Sequence, residues 1–213
     1  MSLFKKKCNF KKSLELLGKS GFTDEYAEML KAEISEAERP KDIAKGKSFL
    51  ANALLIRGKL TEAYAVFEEI NMNKLERYLQ GNLVSNMIFC KFVQDDFKTA
   101  DYLYKEYNAV ILGEHTDAMK RSLAIHEHIS GRYENTVEIL VKMIGSECRF
   151  LDICMVKALL RLDMHERAKD FTIGFERYEN CGELTAEVEK LQKKLTEIIP
   201  KKKKSNKKNK TTD

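Results

Sequence analysis

Apolar side chains recur every three or four residues along most of the chain, which is the spacing of one buried face of a helix. Four times, a turn-forming Gly or Asp between two such stretches is followed five residues later by a small residue. These pairs are Gly58 and Ala63, Asp95 and Ala100, Gly131 and Thr136, and Asp163 and Ala168. The turn residues lie 37, 36 and 32 positions apart, so the pattern predicts four stacked helix-turn-helix units.

In each second helix, further residues on the same face follow the small residue by four and by seven positions. They are Phe67 and Ile70, Tyr104 and Tyr107, Leu140 and Met143, and Thr172 and Phe175, with Thr172 as the polar exception. A small side chain lets two helices cross closely, and the large ones fill the space between successive hairpins. The alternative interpretation of the pattern is an unrelated helical bundle.

The prolines and glycines divide the chain into segments. Gly18 and Gly21 are expected to end a first short helix, Thr23 to cap a second, and Pro40 to open the next. We therefore predict an all-α fold with these segments: 1–12, a basic N-terminal segment; 13–39, a helix pair that is a cap or a degenerate repeat; 40–180, four hairpins; 183–199, a C-terminal capping helix; 200–213, a disordered lysine-rich tail.

The predicted capping helix has two faces. Its apolar face carries Leu184, Val188, Leu191, Leu195 and Ile198. Its other face is charged and is expected in solvent, with Glu187, Glu189, Lys190, Lys193, Lys194 and Glu197. A helix of this kind suits the end of a repeat array, because the last unit has no further neighbour to cover it.

The net charge of +5 comes from the two ends of the chain. Residues 201–213 carry +6 and residues 1–12 carry +5, which leaves −6 for residues 13–200. The candidate electrostatic tail consists of Lys201, Lys202, Lys203, Lys204, Lys207, Lys208 and Lys210. Without arginines or aromatic residues, it offers non-specific, salt-sensitive attraction to nucleic acid or an anionic membrane surface. A nuclear import signal and a merely solubilising tail are the other interpretations.

Cysteine usage and hydropathy indicate a location inside the cell. The five cysteines are widely spaced and form no CxxC pair, so reduced thiols are expected rather than a disulfide framework or a zinc site. No apolar run has the length of a signal peptide or of a membrane span. We predict a cytoplasmic protein, or a nuclear one if the source is eukaryotic.

Two stretches carry a resemblance to a known family. In FLANALLIRGKLTEAYAVFEEI (49–70) the marks are Ala51, Gly58, Ala63 and Phe67, and in SLAIHEHISGRYENTVEILVKMI (122–144) they are Ala124, Gly131, Tyr133 and Leu140. These units resemble tetratricopeptide repeats (TPR) over about residues 41–178. They diverge from the family in lacking a proline between repeats and in placing Lys91 and Glu127 where it has apolar residues. The resemblance implies a right-handed superhelix whose concave surface is lined by the first helix of each hairpin.

The resemblance also implies the residues that would bind a ligand in the concavity. We call this set the predicted groove: Asn52, Leu55, Ile56, Ser85, Asn86, Phe89, Phe92, Arg121, Ile125, His128, Lys157 and Arg161. Asn52 and Asn86 match the asparagines with which some family members clamp a terminal carboxylate, but Ser48, Ala118 and Ser122 stand where the clamp needs cations. The groove therefore suits an amphipathic helix or an extended apolar peptide. For each apolar member, the alternative to ligand binding is packing in the core between helices.

No pattern in the sequence indicates catalysis. His126 and His128 lie two residues apart and point to different faces of a helix, and the HExxH spacing of zinc proteases is absent. The glycines form no phosphate-binding loop. We expect no catalytic, metal or cofactor site. The predicted function is a protein-protein interaction scaffold or adaptor that holds a protein or peptide ligand, and the alternative is binding to nucleic acid or membrane through the lysine-rich ends.

Overall fold

The computed structural model describes residues 7–113, 116–146 and 148–198. These residues form α-helices, short 3₁₀ segments and turns, with no strand among them. The helices are α1 (Lys11–Ser20), α2 (Asp24–Ser35), α3 (Pro40–Ile56), α4 (Leu60–Glu68), α5 (Arg77–Val93), α6 (Phe97–Glu106), α7 (Asn108–Ile111), α8 (Asp117–Ile129), α9 (Tyr133–Val141), α10 (Leu151–Arg161), α11 (His165–Phe171) and α12 (Gly182–Ile198). The predicted all-α fold is confirmed for this part of the chain.

The helices pair as hairpins that stack in chain order. The first hairpin is α3 with α4, the second is α5 with α6, the third is α8 with α9, and the fourth is α10 with α11. The pair α1 and α2 packs on α3 at one end, and α12 packs on α10 and α11 at the other. The 3₁₀ segment Thr172–Tyr178 continues α11 and leads towards α12. Within the described ranges, these contacts define four consecutive hairpins.

All four repeated turns have the same backbone geometry. Gly58, Asp95, Gly131 and Asp163 adopt φ values of 73°, 57°, 77° and 55°, in the left-handed region. In each turn the following amide donates to a carbonyl five residues back, as from Lys59 to Leu54 at 2.9 Å. This is the Schellman arrangement that ends a helix, and Gly or Asp tolerates it better than other residues do. Thus the spacing of Gly and Asp in the sequence located the hairpin turns.

The small residues after these turns are buried within the hairpin stack. Ala63, Ala100 and Ala168 are fully buried, and Thr136 is almost so. The Thr136 hydroxyl donates a hydrogen bond to the Arg132 carbonyl, which satisfies the one polar group among them. Large residues of the same faces, such as Phe67 and Leu140, are buried beside them.

The structure shows the expected cap at Thr23 and the expected helix start at Pro40, but it gives α1 a different end. The Thr23 hydroxyl accepts a hydrogen bond from the Tyr26 amide at 3.2 Å, and Pro40 is the first residue of α3. Gly18, however, does not end α1, which continues to Ser20 and stops at Gly21 with φ 71°. A single glycine inside a helix costs only about 1 kcal/mol, so the helix runs through it.

The two polar residues at expected apolar positions have local partners. The Lys91 ammonium lies 3.9 Å from the centre of the Tyr64 ring. The Glu127 carboxylate accepts two hydrogen bonds from the Arg132 guanidinium, at 2.6 and 2.7 Å. This pairing with Arg132, more than any other contact, lowers the pKa of Glu127 to about 2. Both side chains are half-buried, and these partners offset the cost of burying their charges.

The two ends of the array meet. The amide of Glu183, at the start of α12, donates to the Gly58 carbonyl at 2.9 Å, and the Glu183 carboxylate accepts from the Thr61 amide at 2.7 Å. A second contact joins the residues before α10 to the N-terminal helix pair, because the Arg149 guanidinium lies 5.7 Å from the Phe22 ring centre. The capping helix therefore covers the fourth hairpin and also reaches back to the first.

Candidate functional site

The members of the predicted groove differ sharply in exposure. Arg161 is exposed, and Asn52, Ile56 and Asn86 are half-buried. The other members are buried, namely Leu55, Ser85, Phe89, Phe92, Arg121, Ile125, His128 and Lys157. In this conformation the buried members contact the protein itself, and ligand binding by them remains a prediction.

An aromatic stack covers the middle of the predicted groove. The Phe89 ring lies parallel to the Phe150 ring at 4.5 Å between centres, and Phe150 stacks in turn on Tyr178 at 6.2 Å. The Arg121 guanidinium lies 4.6 Å from the centre of Phe89. Offset stacking and a cation over a ring each add about 1 kcal/mol to simple burial. Residues beside and within the fourth hairpin thus occupy the space in which a ligand was predicted to bind.

A buried ionic cluster joins α12 to the second and fourth hairpins. The Lys157 ammonium donates to Glu187 Oε1 at 2.8 Å, to Asp95 Oδ1 at 2.9 Å and to the Phe92 carbonyl at 3.3 Å. Lys190 pairs with the other oxygens of Asp95 and Glu187. Glu187 is only 6 % exposed, so its predicted place on a solvated face is wrong. Glu187 can be buried because its carboxylate is paired with Lys157, and this pairing is not visible in the helical pattern of the sequence.

The charges of this cluster shift the proton affinities of its members. Burial opposes ionisation of Asp95, but hydrogen bonds from Lys190 and Lys157 outweigh it and lower the pKa of Asp95. The hydrogen bond to Asp95 raises the pKa of Lys190. Both shifts favour the charged forms, so the cluster stabilises the position of α12 near neutral pH.

His128 lies beside this cluster, among aromatic rings. Phe92 and Tyr133 approach it edge-on at 5.1 Å, and its Nδ1 is buried without a hydrogen-bond partner. Burial, helped by the charges of Lys157 and Arg161, lowers the pKa of His128 to about 4. A cavity of about 190 Å³ here brings together His128, Lys157 and Arg161 of the predicted groove. The imidazole is therefore neutral at physiological pH.

The half-buried asparagines form a ladder of hydrogen bonds across three hairpins. The Asn86 amide donates to Asn52 Oδ1 at 2.7 Å and accepts from the Arg121 guanidinium at 2.7 Å. Arg121 also donates to the Arg149 carbonyl at 2.9 Å. The cation that the sequence pattern lacked is thus present beside Asn86. Because Arg121 is buried and already bonded, it is not available to a free carboxylate.

A second cavity, of about 430 Å³, lies where α3 and α5 begin, and we call it the basic cleft. Its apolar lining comes from Phe10, Leu14, Phe49, Leu75, Tyr78 and Leu79. Its charged lining is mostly basic, with Lys7, Arg39, Lys41, Lys45 and Lys74 against Asp42 and Glu76. The sequence patterns did not single out this site, because its residues come from three segments that meet only in the fold.

Three of the side chains with catalytic potential either contact their neighbours structurally or are poorly reactive in this fold. The His126 ring stacks on Tyr104 at 4.1 Å, and its Nδ1 lies 3.2 Å from Asp101 Oδ1. Burial raises the pKa values of the Cys90 and Cys154 thiols to about 12, which disfavours the reactive thiolate. Within the described part of the chain, no three His, Cys, Asp or Glu side chains are placed to hold a metal ion.

Some predictions fall outside the described residues. They include the lysine-rich tail, with Lys201 to Lys204, Lys207, Lys208 and Lys210, and the first half of the basic N-terminal segment, residues 1–6. No helix in the described ranges is both long and apolar enough to cross a membrane.

Comparison with known proteins gives a likeness of fold. No protein-family model matches the sequence, and no curated protein matches it. Among solved structures, a Podosopora anserina protein described as a candidate kinesin light chain with nearly identical TPR-like repeats is similar to this chain, with a TM-score of 0.48 and 15% identity. The match covers 87% of this chain and 93% of the other. The helix order and the hairpin contacts, rather than this likeness, establish the architecture.

Proposed function

We propose that the protein is a non-catalytic scaffold that holds a protein or peptide partner on the faces of α3 and α5, in the first two hairpins. One observation carries the proposal. Asn52, Ile56 and Asn86 are the members of the predicted groove on these two neighbouring helices that keep exposed surface, and Asn86 is hydrogen-bonded to Asn52. A partly exposed polar and apolar strip that crosses two hairpins is the kind of surface on which repeat proteins bind partners.

The rest of the fold is consistent with a binding role. Stacked hairpins form a continuous core, which holds the exposed strip in a fixed shape and keeps the entropy cost of binding low. The buried thiols of Cys90 and Cys154 and the neutral, enclosed imidazole of His128 are poorly suited to attack a substrate. These properties support a binding role for the surface of α3 and α5 rather than a catalytic one.

Site-specific photo-crosslinking tests the proposal. A photoreactive residue replaces Ile56 on α3 or, as the matched control, Tyr102 on α6, which is 60% exposed. In cells of the source organism, position 56 should give discrete protein adducts, and Asn52→Arg should reduce them at least about fivefold by steric and charge conflict. Position 102 should not give the same adducts. Identical adducts at both positions, or none at position 56, would count against binding on this face.

Binding through the lysine-rich ends remains the alternative. A chain that lacks residues 201–213 separates the two functions, because this deletion should leave adducts at position 56 unchanged. If instead it abolishes them, and the loss is mimicked by raising salt from about 0.1 M to about 0.5 M, the tail carries the interaction.

A further inference from the structure

The basic cleft has an excess of positive charge that the described residues do not neutralise. Lys41 pairs with Glu76 at 3.1 Å, and Arg39 lies 3.6 Å from Asp42. Three further lysines line the cleft, and none of them forms an ion pair with any described residue: Lys7, Lys45 and Lys74. The cleft therefore carries about three unpaired positive charges near neutral pH and attracts a ligand with several negative charges.

The N-terminal ends of two helices add to the positive electrostatic potential of the cleft. α3 and α5 each begin at the cleft, and neither has a side-chain hydrogen bond that caps its first turn. By contrast, α6 and α8 are capped by Asp96 and Thr116. Uncapped amides and the positive end of the helix dipole favour a nearby carboxylate, although each contributes only about 0.3–1 kcal/mol.

The floor of the cleft is apolar and partly open. Leu14 and Tyr78 are 46% and 47% exposed, which is high for large apolar side chains. Phe49 is half-buried between the edge of the Phe10 ring, at 6.0 Å, and the Lys45 ammonium, at 5.5 Å. A ligand that places one apolar side chain here removes these surfaces from water, at about 25 cal/mol per Å².

We propose that the basic cleft binds an acidic segment of a partner protein in which glutamate or aspartate residues flank a leucine or an aromatic anchor. The segment's carboxylates pair with Lys45, Lys74 and Lys7, and its anchor lies against Phe49, Leu14 and Tyr78. This inference rests on the proposed scaffold function and names the chemistry of the partner. The apolar floor favours a peptide over a nucleic acid, whose regular phosphates offer charge without an aliphatic anchor.

Fluorescence anisotropy with defined probes tests the proposal on the full chain. The main probe is a labelled peptide of about ten residues with glutamates around a Leu-Phe pair. Comparison probes replace the glutamates by glutamine, replace Leu-Phe by Ser-Ser, or use a single-stranded oligonucleotide of similar length. The acidic apolar peptide should bind at least about tenfold more tightly than either altered peptide, and its affinity should fall as salt rises.

Charge-reversal variants locate the binding site. Lys45→Glu with Lys74→Glu should weaken binding of the main probe at least about tenfold, because two attractions become repulsions. Lys98→Glu with Lys169→Glu is the matched control, since both lysines are exposed on other helices. It should change affinity less than about twofold. Circular dichroism checks that all variants are folded.

Three results would overturn the inference: equal loss of affinity in both double variants, equal binding of the glutamine peptide, or tighter binding of the oligonucleotide that depends on Lys45 and Lys74. The crosslinking experiment at Ile56 distinguishes this failure from failure of the scaffold function. If specific adducts form at position 56 while the acidic peptide does not bind, only the chemistry assigned to the cleft is wrong. If no specific adducts form at position 56 and the acidic peptide does not bind, the proposed scaffold function is wrong as well.

Discussion

Phe49 and Phe89 lie on neighbouring first helices, but they have opposite surroundings. Phe49 is half-buried at the edge of the basic cleft, while Phe89 is fully buried beneath Phe150. The difference arises from the parts of the chain that pack over each ring. Phe150, at the start of the fourth hairpin, covers Phe89, and no later hairpin of the described chain covers the cleft in the same way. The same repeat thus yields a core position in one place and an accessible surface in another.

The largest expected effect is a difference in the loss of stability when each phenylalanine is replaced by alanine. Phe89→Ala should lower the free energy of unfolding by about 3–5 kcal/mol, because it leaves a cavity within the aromatic stack. Phe49→Ala should cost less than about 2 kcal/mol, since that ring is partly exposed already. Urea denaturation followed by circular dichroism measures both. Equal losses would show that the two phenylalanines do not differ as described.

A double-mutant cycle tests whether the ionic cluster holds α12 in place. Glu187→Gln should lower the free energy of unfolding by about 3 kcal/mol, because Lys157 loses one of its two counter-charges. Adding Lys157→Met should recover part of that loss, because it removes the buried ammonium group that has lost its Glu187 partner. Lys190→Gln, at the exposed edge of the cluster, should cost about 1 kcal/mol or less. Strictly additive losses would contradict a buried pair.

The enclosed region should also respond to acid through His128. The pKa of His128 is about 4 in the folded protein, against an ordinary value of 6.5, so between these pH values the unfolded chain binds the extra proton. Stability from this group is therefore complete above about pH 6.5 and declines by up to about 3 kcal/mol as the pH falls to about 4. His128→Phe should flatten this decline, as measured by urea denaturation at several pH values. An unchanged decline in the variant would mean that other groups cause it.

Local features of the fold could be predicted from the sequence, because they depend on near neighbours. The left-handed turns at Gly58 and Gly131, the cap at Thr23 and the helix start at Pro40 each follow from the properties of one residue and its immediate context. The buried small residues follow from helical spacing. These signals need no knowledge of how far the stack curves.

The burial of the residues in the predicted groove does not follow from local sequence in the same way. Whether Phe89 faces solvent depends on the curvature of the whole stack, which brings Phe150 and Tyr178 over it. The helical pattern placed Glu187 on a solvated face, since its partner Lys157 is thirty residues away in the chain. Contacts of this range leave no periodic signal. Lys157, in the apolar middle of α10, is the signal in the sequence that an acidic partner is needed.

The C-terminal part of the chain closes back onto the first hairpin, and two glycines test this closure most directly. A Cβ atom at Gly58 would lie 1.7 Å from the Cys181 carbonyl oxygen, whereas one at Gly131 would meet nothing within 4 Å. Both residues have similar positive φ values, 73° and 77°, so the backbone penalty for alanine is the same at both. Gly58→Ala should therefore lower the free energy of unfolding by about 1–3 kcal/mol more than Gly131→Ala. Equal losses in the two variants would contradict the closure.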